Sequence, residues 1–187
     1  MPKINNKTNN NNQSKEEENA NSYTINYKEE LINNLKKLNK KNILTTLLYI
    51  IIGFLLMVLF NYIINYIIIP NGISNNEQGN RELLLNNKLL YGILLTLIIP
   101  YIEEIVFRLS LKKSIKNNTT FILVSSTIFG LLHIVSTTKL IELLYFIPYF
   151  ILGLTFSTIY TKTNNIYCST ISHILNNTIT VLIILLF

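Results

Sequence analysis

The chain has no aspartate, one cysteine (Cys168), two histidines (His133 and His173) and no tryptophan, and only 14% of its 187 residues are charged. Soluble domains of this length carry about 25% charged residues, so a shortage of this size points to a membrane. The other absences remove whole classes of chemistry. Without aspartate there is no aspartic-protease pair, no Ser-His-Asp triad and no Asp-based calcium loop. One thiol excludes a Cys-rich zinc site and an intrachain disulfide. Neither histidine is followed by glutamate, which excludes the HExxH zinc helix.

What charge there is lies mostly at the start. Met1 to Lys41 holds eight of the sixteen basic and five of the ten acidic residues. Residues 1–26 are Asn-rich and charged, with too little apolar surface to offset the entropy of ordering, and are expected to be a disordered tail rather than a secretory signal. Leu31, Ile32, Leu35 and Leu38 recur at helical spacing, with Lys36, Lys37, Lys40 and Lys41 toward the end, which predicts a short surface helix from Tyr27 to Asn42 that ends in a basic anchor and closes the segment of residues 1–42.

The remainder reads as a polytopic bundle of transmembrane helices, all-α, with about five spans. Residues 43–70 form the first, uncharged from Ile43 to Ile69 and longer than the ~20 residues a bilayer requires. A polar loop from Asn71 to Asn87 follows. Residues 89–187 make up the core, with spans from Leu89 to Leu111, Phe121 to Ser136, Leu140 to Tyr160 and Ile166 to Phe187. Lys36, Lys37, Lys40 and Lys41, then Lys112, Lys113 and Lys116, then Lys162 fall at one end, which places the N-terminus in the cytoplasm. The net charge of +6 fits that topology and anionic headgroups better than nucleic acid.

Ionisable residues within spans are costly, so each is a functional candidate. Glu103, Glu104 and Arg108 interrupt the second span. Residues four apart share a helical face, so Glu104 and Arg108 can pair while Glu103, turned roughly 100° away, stays free for chemistry. The structural alternative is a Glu-Arg pair snorkelling at the interface, with Glu103 reaching headgroups. His133 on the third span, and His173 with Asn177 one turn later on the fifth, weigh against it. Counting residues from the turns puts Glu103, His133 and His173 at similar depth, in the cytoplasmic half of the bilayer.

Glu103-Glu104-x-x-x-Arg108, Phe129-x-x-x-His133 and His173-x-x-x-Asn177, in this order on successive spans, resemble the three motifs of the CPBP family (CAAX proteases and bacteriocin-processing enzymes, also called the ABI family). Leu109 stands where the first motif is commonly followed by glycine, and one extra helix precedes the core. The resemblance implies an intramembrane endopeptidase, in peptide maturation or CAAX-type processing, whose substrate is a peptide or membrane protein. It further implies that Glu103 and His133 activate a water, that His173 and Asn177 form the oxyanion hole, and that Glu104, paired with Arg108, completes the catalytic set. No cofactor is required in this reading, although two histidines and a glutamate are also a donor set for zinc. Asn177 favours the metal-free version, being a poor zinc ligand and a good oxyanion donor. Rival functions are a non-catalytic membrane protein conferring bacteriocin self-immunity and an ion or proton pathway. The Asn/Ile/Lys bias suggests an AT-rich bacterial source and hence a bacterial plasma membrane.

Overall fold

The computed structural model describes residues 27–137 and 139–186; the expected disordered tail lies outside them. The chain divides into two units, Met1–Lys37 and Leu38–Phe187. In the first, helix α1 covers residues 27–36, and Asn34 Nδ2 donates to the carbonyl of Glu30 at 2.8 Å. It stops short of residue 42, where the sequence reading ended it, because Asn39 starts a new helix.

Among its described residues the second unit contains helices joined by turns and no strand, as expected of an all-α polytopic bundle. Helix α2 spans Lys40–Ile68, α3 Asn75–Asn86, α4 Lys88–Ser114, α5 Asn118–His133, α6 Leu140–Thr163 and α7 Ile166–Leu186. Asparagine and serine set these boundaries. Asn39, Ser74, Asn87 and Asn117 each accept a backbone N–H three residues on, at 2.9 to 3.1 Å, satisfying donors that a helix start leaves unpaired. Asn164 closes α6 in the left-handed conformation, which asparagine tolerates better than most residues.

Four of these helices, α2, α4, α6 and α7, are long and apolar enough to cross a membrane, and the chain is an integral membrane protein. The expected fifth span differs. Helix α5 is 16 residues long and ends at His133, about 24 Å of rise against a ~30 Å hydrocarbon core. The expected polar loop from Asn71 to Asn87 is also corrected, for it contains α3. Ser74 followed by Glu77 is the capping signal that starts this helix, and Leu84 anchors it against Leu95 and Val181.

Helix α6 is the hub, packed against α5, α2 and α7. Small residues permit the approach. A Cβ on Gly153 would lie 2.8 Å from Ser126 Cα, and Ser126 Oγ meets Ser157 Oγ at 3.1 Å. This is the close packing expected where lipid offers no hydrophobic drive between helices. The outward faces are apolar, with Leu44, Leu48, Leu55, Leu85 and Leu89 exposed, as lipid contact requires.

Helix α4 is not a regular α-helix. It passes through π-helical turns at Leu94–Ile98 and Ile105–Ser110, on either side of Pro100 and the two glutamates. Such turns change which residues share a face and are frequent at functional sites.

Candidate active site

The charged residues of α4 meet α7 inside the bundle. Arg108 Nε is 3.2 Å from Glu104 Oε2, and both side chains are fully buried. Arg108 Nη1 donates to Ser125 Oγ at 2.6 Å, and that hydroxyl donates to the carbonyl of Phe107 at 2.9 Å. The guanidinium lies 5.3 Å from the Phe129 ring centre and 6.0 Å from that of Phe156. Arg108 is thus held by a carboxylate, a hydroxyl and two aromatic rings, partners that offset the cost of burying its charge. Snorkelling is excluded by its complete burial.

His173 bridges the two glutamates. Its Nδ1 lies 3.1 Å from Glu104 Oε1 and its Nε2 lies 3.5 Å from Glu103 Oε2. Phe156 stacks on the imidazole at 4.5 Å and Phe129 meets it edge-on at 5.5 Å, so the ring cannot rotate away. Glu103 remains a quarter exposed, whereas Glu104 is closed off. The adjacent glutamates therefore both reach one imidazole, although an ideal helix would turn them apart.

His133 faces the same cavity from α5. Its Nδ1 is 2.8 Å from the carbonyl of Phe129. A carbonyl can only accept, so Nδ1 carries the proton and Nε2 presents a lone pair. Tyr149 stacks on this ring at 4.6 Å, while its hydroxyl bonds Ser74 Oγ at 3.0 Å and accepts from Asn76 Nδ2 at 3.1 Å. Glu103 and His133 thus share a cavity, but Glu103 is paired directly with His173.

Asn177 is engaged with backbone. Its Nδ2 donates to the carbonyl of Leu95 at 3.0 Å, and its Oδ1 accepts from Asn176 Nδ2 at 3.3 Å. Leu95 needs that donor because the Ile99 N–H bonds to Leu94, and Pro100, next in line, has no N–H.

The cavity these residues line has a volume of about 230 Å³. It runs from Glu103 and His173 toward α3, where Ser74, Asn76, Glu77 and Asn80 form the far wall. That wall is at the opposite end of α4 from Lys112 and Lys113. Among the described residues no three His, Cys, Asp or Glu side chains are grouped so as to hold a metal ion.

Ser125, Tyr149, Phe156 and Asn176 were not singled out in the sequence. Ser125 lies one helical turn before Phe129, on the motif's own face, a signal that could have found it. Tyr149 and Phe156 sit on α6, which carries no motif.

No curated protein and no solved structure matches the chain. A protein-family profile does, that of type II CAAX prenyl endopeptidases, Rce1-like, over residues 85–179, a stretch that holds all three motifs and their supporting side chains. Since that match spans just over half of the 187 residues, the chain belongs to the Rce1-like type II CAAX prenyl endopeptidase family, a family of proteases, as its three motifs implied.

Proposed function

We propose that this chain is an intramembrane endopeptidase that hydrolyses a peptide bond with a water activated by Glu103 and His133. The observation that carries the reading is His173 bridging a closed Glu104 and an accessible Glu103 at the wall of a cavity that His133 also faces. A water between Glu103 and the Nε2 lone pair of His133 can donate one hydrogen to each. As its oxygen bonds to the peptide carbonyl carbon, its proton passes to Glu103. When the tetrahedral intermediate collapses, the C–N bond breaks and that proton moves to the leaving amine. The oxyanion is stabilised by His173 and by the second N–H of Asn177 Nδ2, groups fixed in place in a low-dielectric site. Arg108 and Glu104 hold the imidazole in position and do not touch substrate.

The reaction in this reading is metal-free. Supporting it, Glu104 is engaged by Arg108, and His173 has both nitrogens directed at carboxylates. No step is routed through a metal.

The lysine distribution puts the N-terminus and the loop after α4 in the cytoplasm. The cavity then runs toward the outer end, where α3 walls it, instead of facing the cytoplasm. That favours maturation of an exported or membrane-inserted peptide over processing of cytosolic prenyl-proteins.

The test is cleavage by membranes containing the protein, with a farnesylated, internally quenched Cys-a-a-X peptide and an unprenylated leader peptide as probes. Glu103→Gln should lower kcat by roughly 10²- to 10⁴-fold, the usual worth of a general base, with the protein present at normal level. Wild-type turnover by Glu103→Gln would overturn the mechanism. Bacteriocin protection that persists in Glu103→Gln would instead support a non-catalytic immunity protein.

A further inference from the structure

The hydrogen bonds beside the site form a chain whose direction is set at one end. Pro100 and the π turn leave the Leu95 carbonyl without a helical donor. In lipid such a group must be satisfied from another element, and Asn177 Nδ2 does so at 3.0 Å. Because a carbonyl only accepts, this contact fixes the Asn177 amide with its Oδ1 turned toward Asn176. That oxygen in turn requires a donor, which fixes Nδ2 of Asn176 at 3.3 Å. The remaining atom, Asn176 Oδ1, is therefore unambiguously an acceptor. The atom is buried, belongs to a residue only 4% exposed that is among those lining the cavity, and has no hydrogen-bond partner in the protein.

An acceptor left unpaired at such burial is costly. The complementary group is an N–H donor brought in by what enters the cavity, and an extended peptide presents one at every residue. Building on the endopeptidase reading above, we propose that Asn176 Oδ1 accepts a backbone N–H of the substrate next to the scissile bond, making Asn176 a substrate-positioning residue. Asn177, one residue on, serves a different end: it bonds Leu95, orients Asn176 and keeps its second Nδ2 hydrogen for the oxyanion.

The decisive measurement is a cycle between side chain and substrate. Whichever of the two probes wild type cleaves, the quenched farnesylated Cys-a-a-X peptide or the leader peptide, is compared with analogues N-methylated at each amide flanking the cleaved bond, on wild type, Asn176→Leu and Asn176→Ala. At one position, N-methylation should lower kcat/KM roughly 10-fold on wild type, about the worth of one hydrogen bond to a buried acceptor. The same methylation should cost nothing further on either variant, which already loses about that much on the parent peptide. A general packing defect would instead depress all peptides alike, with losses that multiply. Multiplying losses at every position, or wild-type kcat/KM in both variants, would overturn the proposal. Affinity of the same peptides for Glu103→Gln, read by fluorescence anisotropy, supplies an arm that does not depend on turnover. A position-specific loss there supports the role of Asn176, and equal binding of all analogues refutes it. Continued turnover by Glu103→Gln would refute the water-activation mechanism alone.

Discussion

Tyr149 joins two functions in one side chain. Its ring stacks on His133, and its hydroxyl is bonded to Ser74 and Asn76 at the start of α3. The two roles separate by substitution. Tyr149→Phe keeps the stack and cuts the tie to α3, so KM should rise while kcat stays within about 3-fold. Tyr149→Leu removes the stack as well, an interaction worth ~0.5–1.5 kcal/mol, and should lower kcat by roughly 10-fold. Carbethoxylation gives a readout independent of turnover, because the chain has only two histidines. His133 should react several-fold faster in Tyr149→Leu and at the wild-type rate in Tyr149→Phe. Equal kcat for the two variants would remove Tyr149 from any positioning role. Glu103, Glu104, Arg108, His133, His173 and Asn177 were all legible as candidates, because ionisable and amide side chains are rare in apolar helices. The Glu104–Arg108 pair was legible as well, but the partners of His173 were not. Ideal 100° spacing separates Glu103 from Glu104, whereas in the folded α4 both reach His173.

At the scale of elements, α5 and α6 are held together by residues without chemistry of their own. Ser126 backbone lies where a Gly153 side chain would begin, and backbone cannot yield as a flexible side chain can. Gly153→Ala should therefore push α5 outward, destabilise the purified protein by ~1–3 kcal/mol in thermal unfolding, and reduce cleavage by displacing His133. Gly92→Ala is the control. Nothing lies within 4 Å of the added methyl, so stability should hold or rise by up to ~1 kcal/mol from helix propensity. Equal behaviour of the two variants would mean that this contact does not set the helix separation. Hydropathy was enough to find the four long helices, because a bilayer imposes length and apolarity on each one separately. It missed α3, whose sequence is mostly polar and whose stability comes from the Ser74 cap and the Leu84 anchor. It also overextended the helix of His133, since the three residues beyond the helix end are nearly as apolar as those before it.

For the whole molecule, orientation decides which compartment reaches the site. With Cys168→Ser as background, a cysteine at the exposed Glu82 on α3 should react with a membrane-impermeant maleimide in intact cells. One at Lys113 should react only after permeabilisation. The reverse pattern would place the cavity's far end in the cytoplasm and make cytosolic prenyl-proteins the natural substrates. Membrane residence, helical class and family follow from the sequence alone, because scarcity of charge, apolar run length and i, i+4 motif spacing are local properties readable without neighbours. The tertiary structure decided the partnerships: His173 with both glutamates, Arg108 with Ser125 and two phenylalanines, Asn177 with Leu95, and α3 over the cavity. Each depends on distances between helices that only the fold brings together, and the Asn177–Leu95 contact also on a π turn in α4; a contact across such a separation leaves no periodic trace in either helix's own residues.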